Sequence, residues 1–330
     1  MVDKPLDVVG IGNAIVDVLA QADDAFLEQN GLVKGSMTLI DADRATELYN
    51  AMGPGVEASG GSAANTMAGI AALGGKGGYI GKVRDDQLGT IFHHDIRAVG
   101  IEFTTPPEVS GPPTGRCMIT VTPDAQRTMN TFLGAAVDLG PEDLDLEMIR
   151  RAKVTYMEGY LWDMPPAKAA YLEAAATAHA AGGKVSLTLS DSFCVERHRE
   201  SFLELISGHV DLLFANEDEI CALFQIDSFD EAMNKVRGHC EIAALTRSEK
   251  GSVIVSGEET VLVEAESIVQ LVDTTGAGDL YAAGFLYGYT QGKSLYDCGR
   301  IASIAAAEVI SHFGARPATP LAAFVKQRLG

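Results

Sequence analysis

The apolar positions change rhythm along the chain. From about residue 153 onward, short runs that are nearly continuous in apolar residues alternate with longer segments of helical spacing. Residues 154–159, 184–190 and 210–214 read as strands, and 243–246 and 252–255 continue the series. Runs of this kind are buried on both faces, so they predict a mostly parallel sheet covered by helices. An Ala-rich helix over 166–181 stops at Gly182-Gly183, a further helix falls near 195–206, and late helices cover 279–288 and 301–310. The class is α/β, in layers.

Two stretches break the rhythm. Residues 17–39 and 104–131 carry Pro, Gly and alternating positions, with no long helical pattern except near 24–29. Residues 116–121 read as a half-exposed strand, followed by a turn at 122–126. We expect these stretches, within about 13–40 and 103–132, to build a small appended sheet. With no repeat, low-complexity tract or linker, the expectation is one large domain over 1–330 with a lid inserted in it.

Composition narrows the function. The chain has 330 residues, 47% of them hydrophobic and 21% charged, which supplies a large core and argues against global disorder. Its 25 Lys plus Arg against 45 Asp plus Glu give a net charge of −20. Such a surface repels phosphodiester backbones, so nucleic acid is not an expected partner. A small phosphorylated ligand remains open, because backbone N–H groups hold phosphate locally. No apolar run is long enough to span a membrane. The acidic start MVDKPLDVVGIGNAIVDV lacks the pattern of a secretory leader. Five scattered cysteines, Cys117, Cys194, Cys221, Cys240 and Cys298, form no CxxC pair, and we expect reduced thiols in a cytoplasmic protein.

Several of the 35 glycines sit in candidate phosphate loops. Gly10-Ile11-Gly12 starts like a dinucleotide fingerprint, but Ile15 takes the place of the third glycine. Residues 288–294 resemble a P-loop with one residue too few, and read instead as a helix end capped by Gly292. The segment Asp273-Thr274-Thr275-Gly276-Ala277-Gly278-Asp279 meets the test: a β-type run ends at Val272 and an apolar helix follows. The N–H groups of Gly276, Ala277 and Gly278 would face an anion at the positive helix end. Asp279 there repels a bare phosphate, but it suits an alcohol whose proton it accepts as the oxygen attacks. The alternative is an ordinary N-cap Asp. Upstream, Ser59-Gly60-Gly61-Ser62-Ala63-Ala64-Asn65 is either a helix-entry turn or a place where backbone and Asn65 approach a diol. Asp17 alone reads as a surface or turn carboxylate. His93-His94-Asp95 reads as an exposed helical surface, because adjacent side chains diverge. Trp162 is core or a wall of the site.

Together these segments resemble the ribokinase-like (PfkB) family of carbohydrate kinases, on Gly61-Ser62-Ala63-Ala64-Asn65 and on the Asp273 to Asp279 motif. The resemblance implies a three-layer α/β/α sandwich with a small β-sheet lid and transfer of the ATP γ-phosphate to a hydroxymethyl group. It implies Asp279 as the base, Gly276 to Gly278 as the anion hole, and Asp17, Gly61, Ser62 and Asn65 on the sugar. It also implies Asn216 and Glu219, in Asn216-Glu217-Asp218-Glu219, as organisers of Mg2+ through water. Thr246, Gly251, Thr275 and the turn at His312 would contact the nucleotide. Asp273 would sit beside a monovalent cation such as K+. Ser248 replaces a glycine of the family's nucleotide loop, and Arg247 beside it either assists a phosphate or faces solvent.

Within the family, the chain resembles the adenosine-kinase-like members, on Asn13 four residues before Asp17 and on Arg127-Thr128-Met129 with Leu133-Gly134-Ala135-Ala136. The matching positions Met37, Leu39, Cys117, Met129, Leu133 and Leu161 are apolar or soft, which suits a purine better than a free sugar. The expected reaction is phosphorylation of the 5′-hydroxyl of a purine nucleoside such as adenosine. The alternatives are a kinase of free ribose or fructose, a nicotinamide oxidoreductase, and a nucleoside sensor without catalysis. The chain would be a monomer or a lid-mediated homodimer.

Overall fold

The computed structural model describes residues 4–330, so Met1, Val2 and Asp3 of the acidic start lie outside the described residues. The strands in chain order are β1 (Leu6–Ile11), β2 (Ile15–Gln21), β3 (Met37–Leu39), β4 (Val56–Gly60), β5 (Gly77–Ile80), β6 (Glu102–Phe103) and β7 (Thr114–Val121). They continue with β8 (Arg127–Gly134), β9 (Ala152–Glu158), β10 (Lys184–Thr188), β11 (Leu212–Asn216), β12 (Ile242–Thr246), β13 (Ser252–Ser256) and β14 (Glu259–Val263).

Nine strands form the central sheet, in the order β14-β13-β12-β11-β10-β9-β1-β5-β6. From β12 to β6 every pairing is parallel. The fully buried pattern of β1 and β5 follows, because helices cover both faces. Alternate residues of β1 serve opposite layers. Val9 and Ile11 pack with the helices Pro165–Ala180 and Ser192–His209, while Val8 packs with the helices Ser62–Ala72, Ala277–Thr290 and Leu295–Val309. The result is a three-layer α/β/α sandwich.

The β12–β13 pair is an antiparallel hairpin, as is β13–β14. The segment between β12 and β13 is too short for the dozen or so residues that a parallel crossover needs. The helix Ser192–His209 is kinked at His198, where φ is −126° and ψ is 19°. Gly182 and Gly292 both take positive φ just after a helix, as expected of αL stops.

A second, five-stranded sheet has the order β3-β8-β7-β2-β4. Its β4 comes from Val56–Gly60, a stretch whose Ser, Ala and Gly content hid it as a strand. One face, with Ile15, Cys117 and Ile119, turns toward the central sheet's cleft. The other face packs Val18 and Met118 against Leu48 and Met52, at the helix Ala42–Ala51. Trp162 is core: it stacks on Tyr171 and Phe202, and its Nε1 donates to Ser201 Oγ at 2.9 Å. His94 is exposed as expected, but Asp95 is not idle surface, since it accepts from the backbone and hydroxyl of Ser59. Among the described residues no helix is long and apolar enough to cross a membrane.

Candidate active site

Chain order reverses in the central sheet between β1 and β9: from β1 the chain moves to β5 and β6, then returns to β9 and proceeds the other way. In open α/β sheets ligands bind beyond the carboxyl ends of strands at such a switch point. A cavity of about 850 Å³ opens there. The residues at the switch are Asn13 and Glu158, each just at or beyond a strand end and both lining the cavity. Glu158 Oε1 accepts from Asn13 N at 2.9 Å and Nδ2 at 2.7 Å, and Oε2 accepts from Ala63 N at 2.7 Å. Burial pushes this carboxyl up to about 7 despite those donors. The Asn13 amide is therefore fixed with Oδ1 away from Glu158, and that oxygen is buried without a partner. Sequence reasoning passed over Glu158. Its signal was an acid ending an otherwise apolar strand at a reversal of strand order.

The helix Ala277–Thr290 begins at Gly276, whose φ is +80°. A Cβ there would sit 2.9 Å from Ala315 Cα, so the loop needs glycine for both conformation and space. First-turn N–H groups such as that of Gly278 have no intrahelical acceptor, whereas Ala277 N closes a turn onto Thr274 O at 3.3 Å. Asp279, in the same turn, faces the cavity. Ser62 Oγ donates to its Oδ1 at 2.7 Å and Asn65 Nδ2 to its Oδ2 at 3.2 Å. Burial raises its pKa; these two donors and the charges of Arg127 and Arg316 oppose the rise. Beneath the loop, Asp273 Oδ1 accepts from Thr275 N at 2.9 Å and Oγ1 at 2.6 Å, and its Oδ2 accepts from Gly314 N at 3.0 Å.

Asp17 projects from β2 into the cavity, and among the described residues no hydrogen-bond donor reaches its carboxylate. Burial pushes it up to about 7, with Arg316 opposing and Asp279 and Glu158 adding to the rise. Gly61 turns the chain into the helix Ser62–Ala72 at φ +91°, where a Cβ would clash with Asn13 O. Met37, Leu39, Cys117, Met129 and Leu133 line the wall formed by the second sheet. Arg127, also on that wall, donates to Thr274 O at 3.2 Å and so joins the small sheet to the glycine loop.

Three expected site residues do not line the cavity. Leu161 lies in the core: the 3-10 turn Gly159–Leu161 rotates each side chain by about a third of a turn, so Tyr160 faces the cavity instead. Arg247 is half-buried and off the cavity wall; Nε and Nη2 donate to Glu217 at 3.2 and 3.0 Å, and the guanidinium stacks 4.0 Å over Phe229. His312 is held by Glu308 at 3.3 Å, off the cavity wall. Thr246, Gly251, Thr275, Asn216 and Glu219 do line the cavity. Asn216 and Glu219 form a reciprocal capping box, and burial pushes Glu219 up to about 7. Ser248 adopts φ +51°, which is why a glycine is the family's usual residue there.

A sandwich of this order, with a small sheet over the switch-point cleft and an aspartate at a glycine-built helix start, defines a phosphotransferase acting on alcohols. The sequence pattern of the pfkB family carbohydrate kinases matches residues 31–322, and the chain belongs to that family. It is similar to the adenosine kinase from Sinorhizobium meliloti, with 56% identity, a TM-score of 0.94 and coverage of 98% of this chain and 99% of that one. It is similar to a probable sugar kinase protein from Rhizobium etli CFN 42, with 54% identity, a TM-score of 0.95 and the same coverage. The 5-dehydro-2-deoxygluconokinase of Bacillus subtilis is 25% identical over 340 residues, covering 98% of this chain and 96% of the relative. The protein is thus a sugar or nucleoside kinase.

Proposed function

We propose that this kinase transfers the γ-phosphoryl group of ATP to the 5′-hydroxyl of a purine nucleoside, adenosine foremost, giving the nucleoside monophosphate and ADP. One observation carries the reading: two acceptors without partners, the Asp17 carboxylate and Asn13 Oδ1, lie under an apolar wall of Met37, Leu39 and Met129. Two acceptors call for the hydroxyls of a diol, and the wall calls for a flat apolar ring above it.

With the ribose held at Asp17, Asp279 accepts the proton of the 5′-hydroxyl as its oxygen bonds to the γ-phosphorus and the bond to the β-phosphate oxygen breaks. Ser62 and Asn65 keep the Asp279 carboxylate from rotating. First-turn N–H groups at Gly278 face the transferring group, and Arg127 adds a positive charge beside the loop. Glu219 suits a role beside Mg2+, since it is a desolvated carboxylate in the cavity with acidic neighbours, Asp191 and Asp218. Mg2+ bound to ATP neutralises charge on its phosphate oxygens, and Asn216 and Glu219 would hold its waters. Three of the lone-pair sites of Asp273 are already taken, so that carboxylate does not by itself make a monovalent-cation site.

A substrate panel tests the proposal: ATP with adenosine, other nucleosides, ribose and fructose. We expect the highest kcat/KM for adenosine. A free sugar with kcat/KM well above every nucleoside would overturn the nucleoside reading in favour of a sugar kinase, which the names of the R. etli and B. subtilis relatives support.

A further inference from the structure

Behind the catalytic wall runs a hydrogen-bonded line that reaches Asp279 through Asn65. It starts at Asp95, on the helix Gln87–Ala98, whose Oδ2 accepts from Ser59 N at 2.8 Å and from Ser59 Oγ at 2.6 Å. The Ser59 hydroxyl, its hydrogen committed to Asp95, accepts from Arg316 Nη2 at 2.8 Å, and the Ser59 carbonyl accepts from the same nitrogen. Arg316 Nε then donates to Asn65 Oδ1 at 3.0 Å, and Asn65 Nδ2 donates to Asp279 Oδ2.

Arg316 is the cationic member of this line. It does not line the cavity, so it cannot be counted as a substrate contact. It sits in the turn after the helix Leu295–Val309, next to Ala315, on which Gly276 packs. A guanidinium can only donate, so Asn65 must present its oxygen to Arg316. The amide is thereby obliged to turn its NH2 toward Asp279. Flipped, it would place an oxygen against a carboxylate.

We propose that Arg316 is a positioning residue for phosphoryl transfer: it locks the Asn65 amide toward Asp279 and sets a positive charge behind that carboxylate. This rests on the reading of Asp279 as the base. The groups that face Asp279 are Ser62 and Asn65 from the helix Ser62–Ala72, Arg127 from β8, Tyr156 and Glu158 from β9, Asp17 from β2 and Arg316. Those that face Arg316 are Asp95, Asp17, Asp279 and Tyr79. Arg127 and Arg316 carry positive charge toward Asp279, and Arg127 is on the small sheet. Arg316 comes from the sandwich side, in the turn after the helix Leu295–Val309, and is held at both Ser59 of β4 and Asn65 of the helix Ser62–Ala72.

The test compares Arg316→Met and Arg316→Lys with the wild type, using whichever acceptor the wild type turns over best. Arg316→Met should lower kcat at pH 7 about 10- to 100-fold, less than the roughly 10²–10⁴-fold that loss of a general base itself costs. Its acid limb of kcat against pH should move up by about one unit, as expected on losing a nearby cation. Arg316→Lys keeps the charge but not the fork, so it should keep the limb near its wild-type position while kcat stays low. Guanidinium chloride at millimolar concentration should restore part of the activity of Arg316→Met, which a merely misfolded variant would not show. If Arg316→Met does not fold, the limb and kcat of Arg316→Lys decide. Unchanged kcat and an unchanged acid limb overturn the proposal. Asp279→Asn, run in parallel, separates the two ideas: if it retains turnover the base assignment is wrong, and if it is dead while the Arg316 variants are normal only the positioning role fails.

Discussion

The Ser62 hydroxyl donates to Asp279 Oδ1 at 2.7 Å, joining residues 217 positions apart in the chain. The first residue of one helix thus orients the carboxylate in the first turn of another, and the chemistry depends on how closely the helices Ser62–Ala72 and Ala277–Thr290 approach. If Asp279 is the base, Asp279→Asn keeps the shape but not the proton acceptor. We expect kcat to fall by about 10²–10⁴-fold. Nucleoside binding, followed by calorimetry, should survive; near-normal turnover would refute the assignment.

The approach of those helices is set at Gly69. A Cβ there would lie 2.7 Å from both Ala283 Cβ and Leu280 Cδ1. Gly69→Val therefore has to push the helices apart, and overpacking of this kind costs about 1–3 kcal/mol. A lower Tm should accompany a lower kcat, because separating the helices pulls Ser62 from Asp279. A variant with a reduced Tm and wild-type kcat would show that the carboxylate is positioned without Ser62.

Activity and stability should respond to pH in opposite directions. Burial holds Asp17 and Glu158 at about 7 in the fold, against ordinary values of 3.8 and 4.5. Both bind protons more tightly folded than unfolded, so their stabilising effect is complete below the unfolded values and is lost as pH rises toward about 7. His312, raised by Glu308, contributes with the same sign. The raised Asp279 must be ionised to act as base, so kcat falls as pH falls. From pH 8 to pH 6 the ligand-free Tm should rise, whereas kcat should show an acid limb on which it falls with pH. A Tm that falls over this interval in the wild type would contradict the assignment of these buried acids.

The late α/β rhythm was legible because parallel strands buried on both faces are nearly continuous in apolar residues, as in Leu212 to Ala215 of β11 and Ile242 to Leu245 of β12. The Asp273 to Asp279 loop was legible because only glycine satisfies Gly276 at φ +80° against Ala315. Other parts depend on where distant segments meet. Glu158 gains its meaning from the order of β1 and β9 in the sheet, and Arg316 from the amide it faces. Arg247 and His312 stood in the expected loops, but Glu217, Phe229 and Glu308 capture their side chains. No local pattern announces such partners. Leu161 missed the site by one residue, since a 3-10 turn does not keep the two-residue alternation of a strand.

The small sheet bears on assembly. A lid-mediated dimer needs a free sheet face, but the outer face here already packs Val18 and Met118 under Leu48, Leu32 and Ile40. The inner face lines the cleft. We therefore expect one chain per particle by light scattering at micromolar concentration. A stable dimer broken by substitutions on the small sheet would overturn this.

The last prediction separates binding from chemistry at the sugar. Asp17 has no donor of its own, and Asn13 Oδ1 is likewise unpaired, so a diol would satisfy both. These contacts hold the ribose in the ground state and the transition state alike, and removing them should raise KM with little change in kcat. Hydrogen bonds to a charged group contribute about 1.5–3 kcal/mol, so Asp17→Ala should raise KM for the nucleoside about 10- to 100-fold. Deoxygenated nucleosides give the complementary measurement. If Asp17 binds the diol, 2′-deoxy or 3′-deoxy substrates lose affinity in the wild type but lose little further in Asp17→Ala. Additive losses in that cycle would place the diol elsewhere in the cleft.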